Sequence, residues 1–113
     1  MIAPMNIASR TVDELKILDV QEPCIDFRNF EAFKHCLQAE IKPEYPCLVL
    51  NLKEVSFMDS SGLSVVLYAK RLGDEQHVKI VLCSLQPYVK NLVMVTQIQK
   101  SIDVVDSLAE LSV

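Results

Sequence analysis

The chain contains two glycines, Gly62 and Gly73, in 113 residues. Neither G-x-G-x-x-G nor G-x-x-x-x-G-K-[ST] can be written with them, which excludes the glycine-rich phosphate cradles of nucleotide-binding proteins. "SSGLS" (60–64) also lacks the flanking glycines of a G-x-S-x-G nucleophile elbow, and no base stands at a recognised spacing from it, so a hydrolytic serine is not supported. Basic blocks are missing too. With a net charge of −4 and no Lys/Arg cluster, the chain has no electrostatic footprint for nucleic acid or an anionic membrane, which leaves a protein or a small ligand as its partner. No apolar run approaches the ~18–20 residues that cross a bilayer, and "MIAPMNIASR" has no charged region followed by an apolar one; we expect no membrane insertion and a cytoplasmic location. The four cysteines, Cys24, Cys36, Cys47 and Cys83, form no C-x-x-C pair, and each lies in an apolar stretch. They are expected to be buried free thiols, with no metal site. His35 and Cys36 are neighbours on a predicted helix and point in different directions, and His77 falls in a turn-like "GDEQH", so no catalytic Cys/His pair is built.

What is present is α/β patterning. "ELKILDV" (14–20), "CLVLNL" (47–52), "VKIVLCS" (78–84) and "SIDVVDS" (101–107) read as strands, the middle two buried on both faces. Phe27, Phe30, Phe33, Leu37 and Ile41 recur at helical steps, with Asp26 placed to cap the first turn. Leu63, Val66, Leu67 and Leu72 mark a second helix, Val89, Leu92, Val93, Val95 and Ile98 a third beginning near Pro87, and "DSLAEL" a last turn. Strands and helices alternate, which predicts a mixed, mostly parallel sheet with about four helices. At half hydrophobic, residues 1–113 are enough for one domain with a single core.

One joint carries more polarity than a turn requires. In "VSFMDSSGLSVVLYAK" (55–70) the segment "EVSF" closes the second strand and Met58-Asp59-Ser60-Ser61 leads into the second helix. The free N–H groups of a helix start favour Ser and Asp as caps, so capping alone accounts for such residues. Two features point further. The turn lies at the carboxyl end of a central strand, where open α/β sheets bind ligands, and it uses three polar residues where one cap suffices. A phosphate on a hydroxyl there would be favoured by the helix dipole and repelled by Asp59.

"LVLNLKEVSFMDSSGLSVVLYAKRL" resembles the central segment of the bacterial anti-sigma factor antagonists of the STAS domain family, in which a buried strand ends in an Asp-Ser-Ser/Thr-Gly-Leu turn opening a helix. "KIVLCSLQPYVKNLVMV" is similar to the family's later strand and its Pro-Val-Lys/Arg helix, so the resemblance spans nearly the whole chain. Three positions depart from the pattern. "PCID" stands where a Gly-Glu-Leu-Asp turn is common, keeping the aspartate as Asp26; Ser64 replaces a frequent glycine; and "VTQIQKSI" lacks a glycine before the last strand. The resemblance implies phosphorylation at Ser60, a partner surface made by Asp26, Asp59, Ser60, Ser61 and Gly62, and no cofactor. It further implies a switch: the unphosphorylated chain binds an anti-sigma factor that is also a serine kinase, releasing a sigma factor, and a serine phosphatase resets it. The chain itself is then no enzyme. The alternative within the family is a non-phosphorylated scaffold subunit of a transporter or signalling complex.

Overall fold

Residues alternating along the apolar strands face two unequal environments. The computed structural model describes residues 5–111. Its strands are β1 (Ile7–Val12), β2 (Leu15–Val20), β3 (Cys24–Ile25), β4 (Cys47–Asn51), β5 (Phe57–Met58), β6 (Lys79–Cys83) and β7 (Asp103–Val105). The helices are α1 (Phe30–Glu40), α2 (Ser60–Gln76) and α3 (Pro87–Val95), with short 3-10 turns at Ile98–Lys100 and Leu108–Leu111. These elements include the four strands and three helices that the patterning predicts, with the last helical turn 3-10; β1, β3 and β5 are additional. Five strands form the main sheet in the order β1-β2-β4-β6-β7, all neighbours parallel except the β1–β2 hairpin. β3 and β5 pair in parallel as a separate two-stranded piece.

On one face of the sheet, Leu18, Val20, Leu48, Leu50, Ile80 and Leu82 pack with Phe33 and Leu37 of α1, Leu63, Val66 and Ala69 of α2, and Val89 and Val93 of α3. Burying each such aliphatic side chain contributes ~1.5–3 kcal/mol, so this layer dominates stability. The opposite face carries Ile17, Val49, Val81 and Cys83, against which Leu108 and Leu111 of the final turn pack. Lys16 lies on the helix face, where its Nζ meets Glu40 Oε2 at 3.0 Å and stands 4.7 Å from the centre of the Tyr45 ring; the pairing makes burial of the charge tolerable.

β1, "IASRTV", is absent from the sequence reading because it is an edge strand with five exposed residues and no apolar alternation. The strand of "CLVLNL" ends at Asn51, and "EVSF" does not extend it; Phe57 and Met58 pair with Cys24 and Ile25 instead. "GDEQH" is no turn: α2 runs through Gln76 and stops at His77, whose φ of 60 marks a left-handed cap. Phe27, Leu67 and Val95 are exposed at 71%, 46% and 70%, outside the core stripes assigned to them. All four thiols are free, yet only Cys83 is buried, the others being half-buried. Burial pushes the Cys36 and Cys47 thiols up in pKa.

Candidate functional site

Asp59 directly follows β5 with extended backbone, φ −100 and ψ −173, the geometry of an N-cap. Its Oδ1 accepts from the N–H of Ser61 at 2.9 Å and of Gly62 at 3.1 Å, satisfying two groups that the helix leaves unpaired. Its Oδ2 accepts from the Phe27 N–H at 3.2 Å, and its own N–H donates to the Ile25 carbonyl at 3.2 Å. One aspartate therefore starts α2 and ties that start to the segment after β3.

Ser60 is the first residue of α2, and the cap position before it belongs to Asp59. Its side chain is exposed, and its hydroxyl makes no hydrogen bond among the described residues. Ser61 is half-buried, and its carbonyl accepts from Ser64 Oγ at 2.6 Å, which places the serine found where glycine is frequent on the exposed side of the first turn. Gly62 is required by space. A Cβ there would lie 2.7 Å from Met58 Cγ, 2.8 Å from Ile25 Cγ2 and 2.8 Å from the Ile25 carbonyl oxygen, and the last is backbone that cannot swing aside.

Asp26 does not cap α1. That helix starts four residues later behind Asn29, which makes no side-chain capping bond. The Asp26 carboxylate accepts instead from Arg28, through Nη2 at 2.7 Å, Nε at 3.1 Å and the backbone N–H at 3.0 Å. The Arg28 side chain, followed by its backbone N–H, holds the Asp26 carboxyl below the usual carboxylate range. Asn29 secures the loop from the other side, its Oδ1 accepting from the Asp26 N–H at 2.9 Å and its Nδ2 donating to the Cys24 carbonyl at 2.8 Å. Because Asp59 bonds to both Ile25 and Phe27, Asp26 is bracketed against the α2 turn; of the five residues singled out in the sequence, Ser60 is exposed, Asp59 and Ser61 are half-buried, and Asp26 and Gly62 are buried.

Aromatic residues at this surface escaped the sequence reading. Phe27 is exposed beside Asp59; Phe57, two residues before it, is 37% exposed and packs on the 52% exposed Tyr88 at the start of α3, ring centres 5.0 Å apart. Phe27 sits in helical phase with Phe30 and Phe33, so periodicity places it in the core; only the turn-forming Asp26 and Asn29 signal that the helix has not yet begun. Among the described residues, no three His, Cys, Asp or Glu gather as metal ligands, and no helix is long and apolar enough to cross a membrane.

A mostly parallel sheet with its three α-helices on one face, one of them opened by Asp-Ser-Ser-Gly, defines a small α/β domain. The STAS domain family model matches residues 6–111, and the chain belongs to the STAS domain family. It is similar to an anti-sigma-factor antagonist (STAS) domain protein from Planctomyces limnophilus, at 19% identity, covering 96% of this chain and 96% of that one with a TM-score of 0.83. The anti-sigma factor antagonist SpoIIAA in its unphosphorylated form is 20% identical, with 94% and 93% covered and a TM-score of 0.69. A murine solute carrier 26 family anion transporter matches at 23% identity and TM-score 0.72, over 85% of this chain but 17% of the transporter. At these identities the likeness is one of fold.

Proposed function

We propose that residues 1–113 act as one STAS module and that this module is an anti-sigma factor antagonist working by partner switching. Unphosphorylated, it binds an anti-sigma factor with serine kinase activity and so frees a sigma factor; phosphorylated on Ser60, it lets go, and a serine phosphatase restores it. The observation that carries this reading is the state of the Ser60 hydroxyl. It is exposed at the first residue of a helix whose cap is supplied by another side chain, so it can be modified without undoing the turn. Phe27, whose N–H bonds to Asp59, and the packed Phe57–Tyr88 pair are exposed and give a protein partner apolar anchors of the type that dominate binding energy.

A phosphate there adds roughly −1.5 to −2 charge. The α2 dipole favours that charge, while the Asp59 carboxylate on the same turn opposes it. Inside a partner interface an unpaired dianion is costly, and 1.4 kcal/mol already changes affinity tenfold. The chemistry belongs to the partner, which holds the nucleotide; this chain is substrate and ligand, meeting its partners in the cytoplasm.

The test is incubation with the cognate kinase and ATP, followed by mapping of the modified residue by mass spectrometry. Phosphate on Ser60 is expected, and modification confined to Ser61 would overturn the assignment. A second reading, a non-phosphorylated scaffold subunit, draws on the likeness to the transporter's STAS segment. It predicts co-purification with a membrane transporter and unchanged binding in Ser60→Asp.

A further inference from the structure

The two outer strands of the main sheet are protected very differently. β7 is three residues long and stands between the 3-10 turns, whereas β1 runs for six residues in unbroken register with β2. Edge strands are ordinarily kept from pairing by proline, bulges, brevity or charge. β1 has no proline and no bulge, and Arg10, its one charged residue, is already engaged by Asp19 at 2.7 Å.

The hydrogen-bond phase shows which groups of β1 are open. Gln21 N–H donates to the Asn6 carbonyl at 2.8 Å, which makes Asn6 and Gln21 a hydrogen-bonded pair in the register of the hairpin. Alternation then assigns Ala8, Arg10 and Val12 to bonds with β2 and leaves the N–H and C=O of Ile7, Ser9 and Thr11 directed away from the sheet. Among the described residues nothing pairs with that side of β1.

We infer that β1 pairs with β1 of a second copy of this chain, antiparallel and centred on Ser9. In that register Ser9 faces Ser9 of the second copy, Ile7 faces Thr11, and Ala8 faces Arg10. Ile7, Ser9 and Thr11 each exchange both backbone bonds with the facing residue, and no like charges meet. The neighbouring registers are worse for stated reasons. Centring on Arg10 sets two guanidinium groups directly opposite, an arrangement that destabilises a strand pair. Centring on Ala8 confines the overlap of the two strands to residues 7–9. Joining single edge strands buries less than the ~1,200 Å² of a standard stable interface, so the dimer is weak and forms with rising concentration.

Sedimentation velocity from micromolar to millimolar protein reads the association, and amide hydrogen exchange locates it. The expected result is a monomer–dimer equilibrium in which the amides of Ile7, Ser9 and Thr11 gain protection as concentration rises while those of Ala8, Arg10 and Val12 are protected throughout. Ser9→Pro removes an outward donor without touching a β1–β2 bond and weakens the dimer roughly tenfold or more, the loss of two central bonds. Ser9→Lys alone and Ser9→Glu alone weaken it about threefold, and mixing these two variants restores it. A chain still monomeric at millimolar concentration overturns the inference. So does a dimer that survives Ser9→Pro, or one whose protection appears elsewhere.

Discussion

Two helix starts in this molecule begin alike and end differently. β3 and β5 lie side by side as two-residue strands, and each is followed at once by an aspartate, Asp26 after Ile25 and Asp59 after Met58. Asp59 caps α2 directly. Asp26 turns its carboxylate onto Arg28, and α1 waits until Phe30. The residues that follow set the two apart. Ser60 and Ser61 are followed by Gly62, whose missing side chain lets α2 enter close against Ile25 and Met58. After Asp26 come Phe27 and Arg28, both bulky and both exposed, with a cation that competes for the carboxylate. The same strand-Asp unit thus gives a charge-neutral loop at one helix and, at the other, a helix start with a free hydroxyl.

Gly62 is the most sensitive position in either turn. Gly62→Ala should destabilise the fold by about 1–3 kcal/mol, the cost of overpacking against a backbone atom, read as a lowered urea midpoint at unchanged slope. An unchanged midpoint would mean that α2 does not need this close approach. Asp59→Ala comes next, at about 1–2 kcal/mol for a lost cap, and should speed exchange of the Ser61, Gly62 and Phe27 amides together. Asp26→Ala should leave those amides, and α1, as they are.

Acid sharpens the contrast. The Asp26 carboxyl is held below its unfolded-state value, so its contribution is fully present above ~pH 4 and is lost as pH falls through the depressed native value. Asp19, lowered chiefly by the hydrogen bond from Arg10, behaves with the same sign. Stability measured against pH should therefore fall less steeply on the acid side in Asp26→Asn than in the wild type; parallel curves would contradict the Arg28 pairing. The smallest effect belongs to Ser60→Ala, within about 0.5 kcal/mol for an exposed group with no bond to lose. Under the proposed function it retains the partner, whereas Ser60→Asp binds more weakly, and a titration giving equal affinities would take this turn out of the interface.

Most of the sheet was legible because Leu18, Leu48, Leu50, Leu82 and their neighbours leave an unmistakable apolar signal when a strand is covered on both faces. The Asp59 turn was legible because its residue types are those that helix starts demand. What stayed hidden depends on partners distant in the chain. β1 is a strand only because β2 is beside it, and Phe57 leaves the end of β4 to pair beside Cys24, which no local pattern encodes. Phe27 looks like a core residue, in phase with Phe30 and Phe33, and its exposure follows from the turn that precedes α1.

The order of the main sheet, β1-β2-β4-β6-β7, is also the order of synthesis. Each strand docks onto one that has already left the ribosome, so the sheet can be laid down from one edge to the other with no strand inserted between two earlier ones. β5 finds β3 in the same way, before β6 exists. The Asp59 turn, with its ties to Ile25 and Phe27, needs nothing from the chain beyond α2, so the feature on which the proposed switch depends can be assembled while the last third of the protein is still being made.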